Sequence, residues 1–380
     1  MEAIIIAILI FGAIVAQTLV YQKKFFKKLV YTCDFTKHRA KVGDTVELIE
    51  TVTNRKSLPI PWLRVSIFSS KWLEYADNLS TVIDENRFVS SIFYTGGKKR
   101  TKRTWSIKCI KRGFFEVSNI TLIGGDPLGF TTVSKGADVS ASILVYPDAV
   151  DIDKHLVPLN ILSGDTIVRR WISDDPFLVA GVRQYTPADT MNRIHMKATA
   201  RMGHLMVKKC DFTSSITMTI LLNMQSVERE TGEVVDKRAI ENGIRIAAGF
   251  FANAQITGVP FRFASNGVTL DDPDDYVNTD SKAGEVQYEN LLEILAKLKM
   301  GYKDYFNRFL TEITSGIRDS EVAIITAFVD DEMAEHMRSM LLMRNSVKLI
   351  MLDYSVDTSK VPEGVEMFLY RKKAKSEVIE

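Results

Sequence analysis

Cysteine is scarce in this sequence, and its spacing excludes the common cysteine-based frameworks. The 380 residues include three cysteines, Cys33, Cys109 and Cys210, with no CxxC pair. An odd number at wide spacing predicts neither a zinc site nor a disulfide scaffold. We expect free, buried thiols, which suit a reducing compartment.

A surplus of charge and the familiar catalytic signatures are also missing. Lys and Arg number 49 against 47 Asp and Glu, a net charge of +2. That balance argues against a protein whose main work is to coat nucleic acid. The motifs GxSxG, HExxH and GxxxxGK[ST] are absent from the sequence, which excludes those hydrolase, metalloprotease and phosphate-loop signatures. We predict no cofactor.

One long hydrophobic run is present at the start of the chain. Ala3 to Tyr21 carries no charge and would span roughly 28 Å as a helix, about one hydrocarbon core. Only Met1 and Glu2 precede it, and no small-residue cleavage site follows, so a retained anchor over residues 1–22 is favoured over a cleaved signal peptide. Four lysines follow immediately and none precedes the run. This asymmetry predicts a single-pass protein of the cell membrane, with the carboxyl flank of the run and the bulk of the chain in the cytoplasm.

Residues 30–147 have the pattern of an all-β domain. Short segments rich in Val, Ile, Thr and Phe alternate with turn residues, which predicts a β-sandwich. The predicted strands are Tyr31–His38, Val46–Thr53, Leu63–Ser69, Phe88–Tyr94, Thr104–Cys109, Phe114–Leu122 and Ser142–Tyr146.

Beyond the sandwich, residues 148–181 are interpreted as a linker with a short helix near Ile167–Ile172. Residues 182–372 alternate strands with helices, which predicts a doubly wound, mostly parallel α/β sheet. Ligands in such sheets bind beyond the carboxyl ends of the strands. The polar residues at those ends are Asn223, Asp330 with Asp331, and Asp353.

The most distinctive stretch is the cationic segment from Val182 to Lys208. Its seven basic residues or histidines stand against one acid, Asp189; they are Arg183, Arg193, His195, Lys197, Arg201, His204 and Lys208. The segment is either a solvated basic face, a set of structural ion pairs, or a surface for an acidic partner. Arginine grips carboxylates in a bidentate way that lysine cannot.

An enzymatic alternative rests on acids at the strand ends. A metal hydrolase would use Asp330 as a ligand and His195 as a base. However, Asp331 and Glu332 are simply explained as the first turn of a helix. His195 and His204 lie nine residues apart, with no third ligand at metal spacing.

Three ordered blocks of sequence resemble the domain-of-unknown-function 58 family. The block nearest the carboxyl end contains Arg183, Tyr185, Pro187, Asp189, Arg193, His195, Lys197, Ala198, Ala200, Arg201, Gly203, Leu205 and Val207. The others are Arg112-Gly113 with Asp126 to Phe130, and Val145-Tyr146-Pro147. The resemblance implies an immunoglobulin-like sandwich, a von Willebrand factor A-like domain and a membrane anchor. It also implies a MoxR-type AAA+ ATPase as partner, with client proteins in addition.

The chain departs from that pattern at the metal site which the resemblance implies. A competent A domain opens with Asp-x-Ser-x-Ser after its first strand, and the matching residues here are Asn223, Gln225 and Val227. Two neutral polar groups and a valine hold magnesium poorly. We therefore expect a degenerate site without metal, and the alternative of a metal-dependent, extracellular adhesion module is weakened.

These observations predict a non-enzymatic, cytoplasm-facing adaptor anchored in the membrane. Its partners would be the ATPase and clients, with no nucleic acid. The predicted protein-interaction residues are Arg183, Tyr185, Asp189, Arg193, His195, Lys197 and Arg201.

Overall fold

The computed structural model describes residues 2–76, 80–159, 179–186, 191, 194–210, 217–230, 234–353 and 357–371. The chain is mixed α/β and divides into two compact units, Met1–Asp148 and Ala149–Glu380. Each unit has its own sheets and its own hydrophobic core.

The first unit is a helix followed by a two-sheet β-sandwich. Its elements are α1 (Glu2–Lys24), β1 (Leu29–Phe35), β2 (Arg39–Lys41), β3 (Thr45–Asn54), β4 (Ile60–Ser70), β5 (Leu73–Tyr75), β6 (Ser80–Ile83), β7 (Asn86–Thr95), β8 (Arg100–Cys109), β9 (Gly113–Gly125), β10 (Thr132–Ala137) and β11 (Ala141–Tyr146). One sheet has the order β1-β3-β8-β5 and the other β2-β11-β9-β4-β7-β6, with β10 also paired to β9. All seven strands predicted for this region are present.

The sandwich is held together by the inward faces of both sheets. Along β8 buried and more exposed residues alternate, because successive side chains of a strand point to opposite faces. Leu48 and Trp105 from the first sheet share one core with Val65, Val89 and Ile143 from the second. Cys33 and Cys109 lie in this core as free thiols, as predicted, and burial raises their pKa to about 12 and about 11, so both are unreactive at neutral pH.

Helix α1 is long and apolar enough to cross a membrane. Its apolar side chains between Ile4 and Phe11 are exposed, whereas Tyr21 and the following Phe25 are buried in the core of the sandwich. The Tyr21 hydroxyl donates to the carbonyl of Pro59 at 3.2 Å. The ammonium of Lys56 donates to the carbonyl of Lys24 at 3.0 Å. The end of the helix is therefore part of the sandwich rather than a separate tether.

We expect Gly124→Ala to weaken this attachment. A Cβ at Gly124 would lie 2.1 Å from Cζ of Phe25, so the ring of Phe25 must move out of its packed position. Overpacking of this kind costs about 1–3 kcal/mol. Gly136→Ala on β10 is the matched control, since a Cβ there meets nothing within 4 Å. Thermal unfolding of both variants checks the prediction, and equal stabilities would contradict the packing of Phe25 against Gly124.

The second unit is built on a seven-stranded, mostly parallel sheet. Its elements are α2 (Ile152–His155), β12 (Leu156–Pro158), β13 (Val179–Gln184), α3 (Met196–Met202), β14 (Met206–Cys210), β15 (Thr217–Leu222), α4 (Lys237–Thr257), β16 (Phe261–Ser265), β17 (Gly267–Thr269), β18 (Val277–Asn278), α5 (Glu285–Lys297), β19 (Leu298–Tyr302), α6 (Phe306–Thr314), β20 (Ser320–Thr326), α7 (Asp331–Leu342), β21 (Ser346–Met351), a 3-10 turn (Thr358–Lys360) and β22 (Glu366–Tyr370). The sheet order is β12-β22-β21-β20-β15-β16-β18. The five middle strands are parallel and the two edge strands antiparallel.

Two parts of this unit differ from the sequence prediction. Leu156–Pro158, which the pattern placed in a linker, pairs with β22 and belongs to the sheet. Helix α6 was not predicted; its buried residues Phe306, Phe309, Leu310 and Ile313 recur at helical spacing. The helix predicted at Ile167–Ile172 lies outside the described residues. In α7, Met333, Met337 and Met340 are buried, as expected of core residues.

Candidate functional site

The cationic segment contains a hairpin with a short helix between its strands, which we call the cationic hairpin (β13, α3 and β14). β13 and β14 pair in antiparallel register from Val179 opposite Cys210 to Gln184 opposite Met206. The backbone N–H of Tyr185 donates to the carbonyl of Leu205 at 2.9 Å, and that of His195 to Met206 at 2.7 Å. The hairpin is thus braced by its own backbone.

His195 has a structural function in this hairpin. It is the N-cap of α3, and its Nδ1 accepts the N–H of Ala198 at 3.1 Å. An N-cap side chain satisfies one of the amide donors that a helix leaves unpaired at its start. Gly203 ends the same helix in the left-handed conformation at φ 73°.

The basic side chains that the structure describes on this hairpin face solvent. Arg183, Lys197 and Arg201 are exposed. Arg183 also donates from Nη1 to the carbonyl of Gln184 at 3.2 Å. Tyr185 is half-buried. The other two predicted interaction residues, Asp189 and Arg193, lie outside the described residues.

Exposed apolar side chains accompany these charges. Met196 and Met202, at the two ends of α3, are 77% and 59% exposed, and no residue of this helix is buried. Val182 on β13 and Leu205, just before β14, are exposed as well. Methionine is flexible and polarisable, so methionine-rich surfaces adapt to varied partners. Exposed apolar patches rimmed by polar residues are typical of protein-binding surfaces, in which methionine and arginine are enriched.

A second candidate site lies at the carboxyl edge of the parallel sheet, where the fold predicts one. A cavity of about 490 Å³ opens there. Its lining residues are Gln225, Glu228, Arg229, Tyr305, Phe306, Asn307, Arg308, Thr311, Phe328, Asp330, Asp331 and Glu332. Two of the three predicted strand ends, after β15 and after β20, contribute residues to it, whereas Asp353 after β21 is not among its lining residues.

The polar side chains at the end of β15 are engaged by protein groups. Asn223 is fully buried; its Nδ2 donates to Oγ1 of Thr326 at 3.1 Å, and its Oδ1 accepts the N–H of Gln225 at 2.9 Å. The Oε1 of Gln225 accepts the N–H of Phe306, at the start of α6, at 2.6 Å. These amides therefore fasten the loop after β15 to β20 and α6.

Asp330 is engaged in a similar way. Its Oδ1 accepts the N–H of Met333 at 2.8 Å as the N-cap of α7, and its Oδ2 accepts Nδ2 of Asn307 at 2.7 Å. The hydrolase alternative pairs Asp330 with His195, and each of these residues caps a helix. Val227 is 42% exposed and brings no ligand atom. Within the described ranges, no three His, Cys, Asp or Glu side chains are grouped as a metal site would require. The donors present do not fit a magnesium ion.

Sequence reasoning missed two polar residues at this edge, Asn307 and His336. His336 is half-buried, and its Nε2 lies 3.4 Å from Oγ1 of Thr311. Burial lowers the pKa of His336, while the carboxylates of Glu332 and Asp330 act in the opposite direction. Its spacing of four residues from Glu332 on one helix was the available signal.

The comparisons with known proteins reach only part of the chain. No protein-family profile matches it, and no curated protein matches it. The solved structures that align with about a third of the chain include a non-cellulosomal cohesin from Archaeoglobus fulgidus (14% identity, 30% of this chain and 90% of that one, TM-score 0.22), a CARDB domain from Pyrococcus furiosus (12%, 32% and 90%, 0.22) and a type II cohesin from the cellulosome of Acetivibrio cellulolyticus (13%, 30% and 95%, 0.23). At these values the likenesses assign no function to the chain.

Proposed function

We propose that this protein is a membrane-anchored, non-enzymatic adaptor that holds protein partners on its cationic hairpin. The observation that carries the proposal is helix α3, which buries none of its residues and presents Met196 and Met202 beside Lys197 and Arg201. A helix with this exposure gains little from packing within its own chain. Its exposed methionines gain more from a partner that covers them.

The partner we propose is a MoxR-type AAA+ ATPase, with client proteins recruited beside it. This assignment follows from the resemblance to the domain-of-unknown-function 58 family, and the charge of the hairpin is compatible with an acidic surface on the partner. As part of the same proposal, the second unit is a von Willebrand factor A-like domain and the sandwich is immunoglobulin-like. The parallel sheet and the two-sheet core support those finer assignments.

The anchor is part of the proposal as well. Tyr21 and Phe25 contribute to the core of the sandwich, so cleavage after them would remove packed side chains. Loss of these buried side chains would destabilise the sandwich, which argues against a cleaved signal peptide that includes them. Lysines on the carboxyl flank of α1 support the orientation that we propose, with the two units in the cytoplasm.

The adaptor proposal predicts that charge reversal on α3 breaks the complex. We expect Lys197→Glu/Arg201→Glu to reduce co-purification of the ATPase at least tenfold, because two attractive contacts become repulsive. Lys299→Glu/Arg318→Glu is the matched control, since both residues are exposed elsewhere on the second unit. Quantitative pull-down from cells that express both proteins provides the measurement.

Two results would contradict the adaptor proposal. One is equal recovery of the ATPase with the α3 variant and the control variant. The other is tight, stoichiometric binding of magnesium, manganese or zinc in a calorimetric titration together with hydrolytic turnover, which would favour the hydrolase alternative instead.

A further inference from the structure

The point where α1 joins the sandwich is unusually rich in positive charge. Three segments meet there: residues 22–28 after the apolar run, residues 54–58 from the end of β3 toward β4, and residues 96–100 from the end of β7 to the start of β8. Together they contain nine lysines and arginines and no aspartate or glutamate. These are Lys23, Lys24, Lys27, Lys28, Arg55, Lys56, Lys98, Lys99 and Arg100.

Backbone hydrogen bonds hold the three segments together. The N–H of Arg55 donates to the carbonyl of Lys28 at 3.0 Å, and the N–H of Lys98 donates to the carbonyl of Lys56 at 2.9 Å. The side chain of Asn54 is buried and donates from Nδ2 to the carbonyls of Leu58 at 2.9 Å and Gly96 at 3.0 Å. The convergence is therefore part of the fold and does not depend on the charged side chains themselves.

Lys56 differs from the other eight basic residues because it has a structural function. Its ammonium donates to the carbonyls of Lys24 and Phe25 and lies 5.2 Å from the centre of the Phe25 ring. A cation at this position complements the negative end of the helix. The remaining eight are exposed, and among the described residues none of them forms an ion pair with a carboxylate.

We propose that these eight side chains form a membrane-proximal basic surface that binds the headgroups of anionic phospholipids in the leaflet from which α1 emerges. The inference rests on the anchor in the proposed function. The apolar run ends at Tyr21, so the surface begins within one helical turn of the hydrocarbon boundary, which is the level of the headgroups. Basic residues at that level are attracted to anionic lipids, by about fivefold in binding for each charge.

The rigid connection of α1 gives this binding a consequence. Because Tyr21 and Phe25 are packed in the core of the sandwich, the sandwich cannot rotate freely about the anchor. The basic residues at 54–58 and 96–100 lie about 30 and 70 residues after the helix in sequence. The packing of the helix end holds them toward the same leaflet as Lys27 and Lys28. Lipid binding would fix how the sandwich stands on the membrane.

The test uses the full chain purified in detergent micelles that contain equal amounts of phosphatidylglycerol and phosphatidylcholine. Lipids that remain bound are quantified by mass spectrometry. We expect the wild-type chain to retain at least fivefold more phosphatidylglycerol than phosphatidylcholine, and the excess to fall in 0.5 M salt (roughly a 4 Å Debye length) because salt screens exposed charges. The variant Lys98→Glu/Lys99→Glu/Arg100→Glu should bring the ratio close to one.

The control variant is Lys37→Glu/Lys41→Glu/Lys108→Glu. It changes the charge by the same amount, and Lys108 stands at the opposite end of β8 from Arg100. Its lipid ratio should equal that of the wild type. If the turn variant fails to fold, as judged by thermal unfolding, Lys98→Gln/Lys99→Gln/Arg100→Gln replaces it. This variant should reduce the logarithm of the phosphatidylglycerol-to-phosphatidylcholine ratio to about half of its wild-type value.

Alkaline extraction of cell membranes separates this inference from the anchor itself. An integral chain whose wild-type lipid ratio is one, or whose turn and control variants behave alike, overturns the basic surface and leaves the anchor intact. A chain released by alkaline extraction overturns the anchor and the lipid surface together.

Discussion

Lys348→Met is expected to lower the free energy of unfolding of the second unit by about 3–5 kcal/mol. The Lys348 ammonium lies 3.0 Å from Oε2 of Glu321, and the two side chains are only 5% and 8% exposed. They stand on neighbouring parallel strands, β21 and β20. Removing the lysine takes the Lys348 ammonium away from a buried carboxylate, and desolvation makes the loss of a cationic neighbour costly.

Two further variants test the explanation for Lys348. Lys348→Met combined with Glu321→Leu should recover most of the stability, because no charge is then left buried. Lys282→Met, in the exposed pair with Asp280 at 3.5 Å, should cost only about 0–1 kcal/mol. Chemical denaturation with hydrogen exchange of β20 and β21 gives the measurement. A cost for Lys348→Met as small as that for Lys282→Met would contradict the buried pair.

Glu50→Ala is expected to destabilise the sandwich by about 2–4 kcal/mol. Glu50 is fully buried in the core. Its carboxylate accepts hydrogen bonds from Nε1 of Trp105 at 2.6 Å, the hydroxyl of Tyr31 at 2.8 Å and the hydroxyl of Ser91 at 3.2 Å. The alanine variant leaves these three donors without their acceptor inside an apolar core. Glu47→Ala, an exposed position on the same strand, is the control and should change stability by less than about 0.5 kcal/mol.

The same carboxyl group should make the stability of the first unit depend on pH. Burial raises the pKa of Glu50, and this outweighs the hydrogen bonds from Trp105, Tyr31 and Ser91 and the charge of Arg103, which lower it. The folded state therefore holds the proton more tightly than the unfolded state, whose glutamate pKa is about 4.3. Stability contributed by this group is full below that pKa and is lost as pH rises through the higher folded-state pKa.

Glu50→Gln removes this titration. As pH rises from 4 toward neutrality, the wild type should therefore lose stability relative to Glu50→Gln. The loss should begin near the unfolded-state glutamate pKa of about 4.3. Urea unfolding at a series of pH values measures it. Parallel pH profiles for the two proteins would mean that Glu50 titrates alike in both states.

Much of the architecture could be predicted because it is written in local periodicity. Buried and exposed residues alternate along β8, and strands β15, β20 and β21 are short, mainly apolar runs with helical patterns between them in the sequence. Gly258 directly follows α4 and caps it in the left-handed conformation at φ 75°, the usual local stop signal of a helix. These signals lie within one element and its flanking turns, so they are legible without knowledge of the fold.

Helix α6 shows where local signals end. Its N-cap position, Tyr305, makes no side-chain cap, and the first N–H of the helix is satisfied by Gln225, which lies 81 residues earlier. A cap supplied from so far away leaves no start signal in the neighbouring sequence. The same holds for the strand at Leu156–Pro158, which is too short to have a period and exists because β22 offers it an edge.

By itself, the sequence determined the apolar length of α1, the two kinds of sheet, the free cysteines and the position of the cationic segment, because each depends on neighbouring residues. Tertiary structure alone decided that Asn223, Gln225 and Asp330 fasten loops and helices together, and that charges from three separate segments meet at the end of α1. Composition states which groups are present. The fold decides which of these groups become neighbours, and their proximity determines which hydrogen bonds and which clusters of charge form.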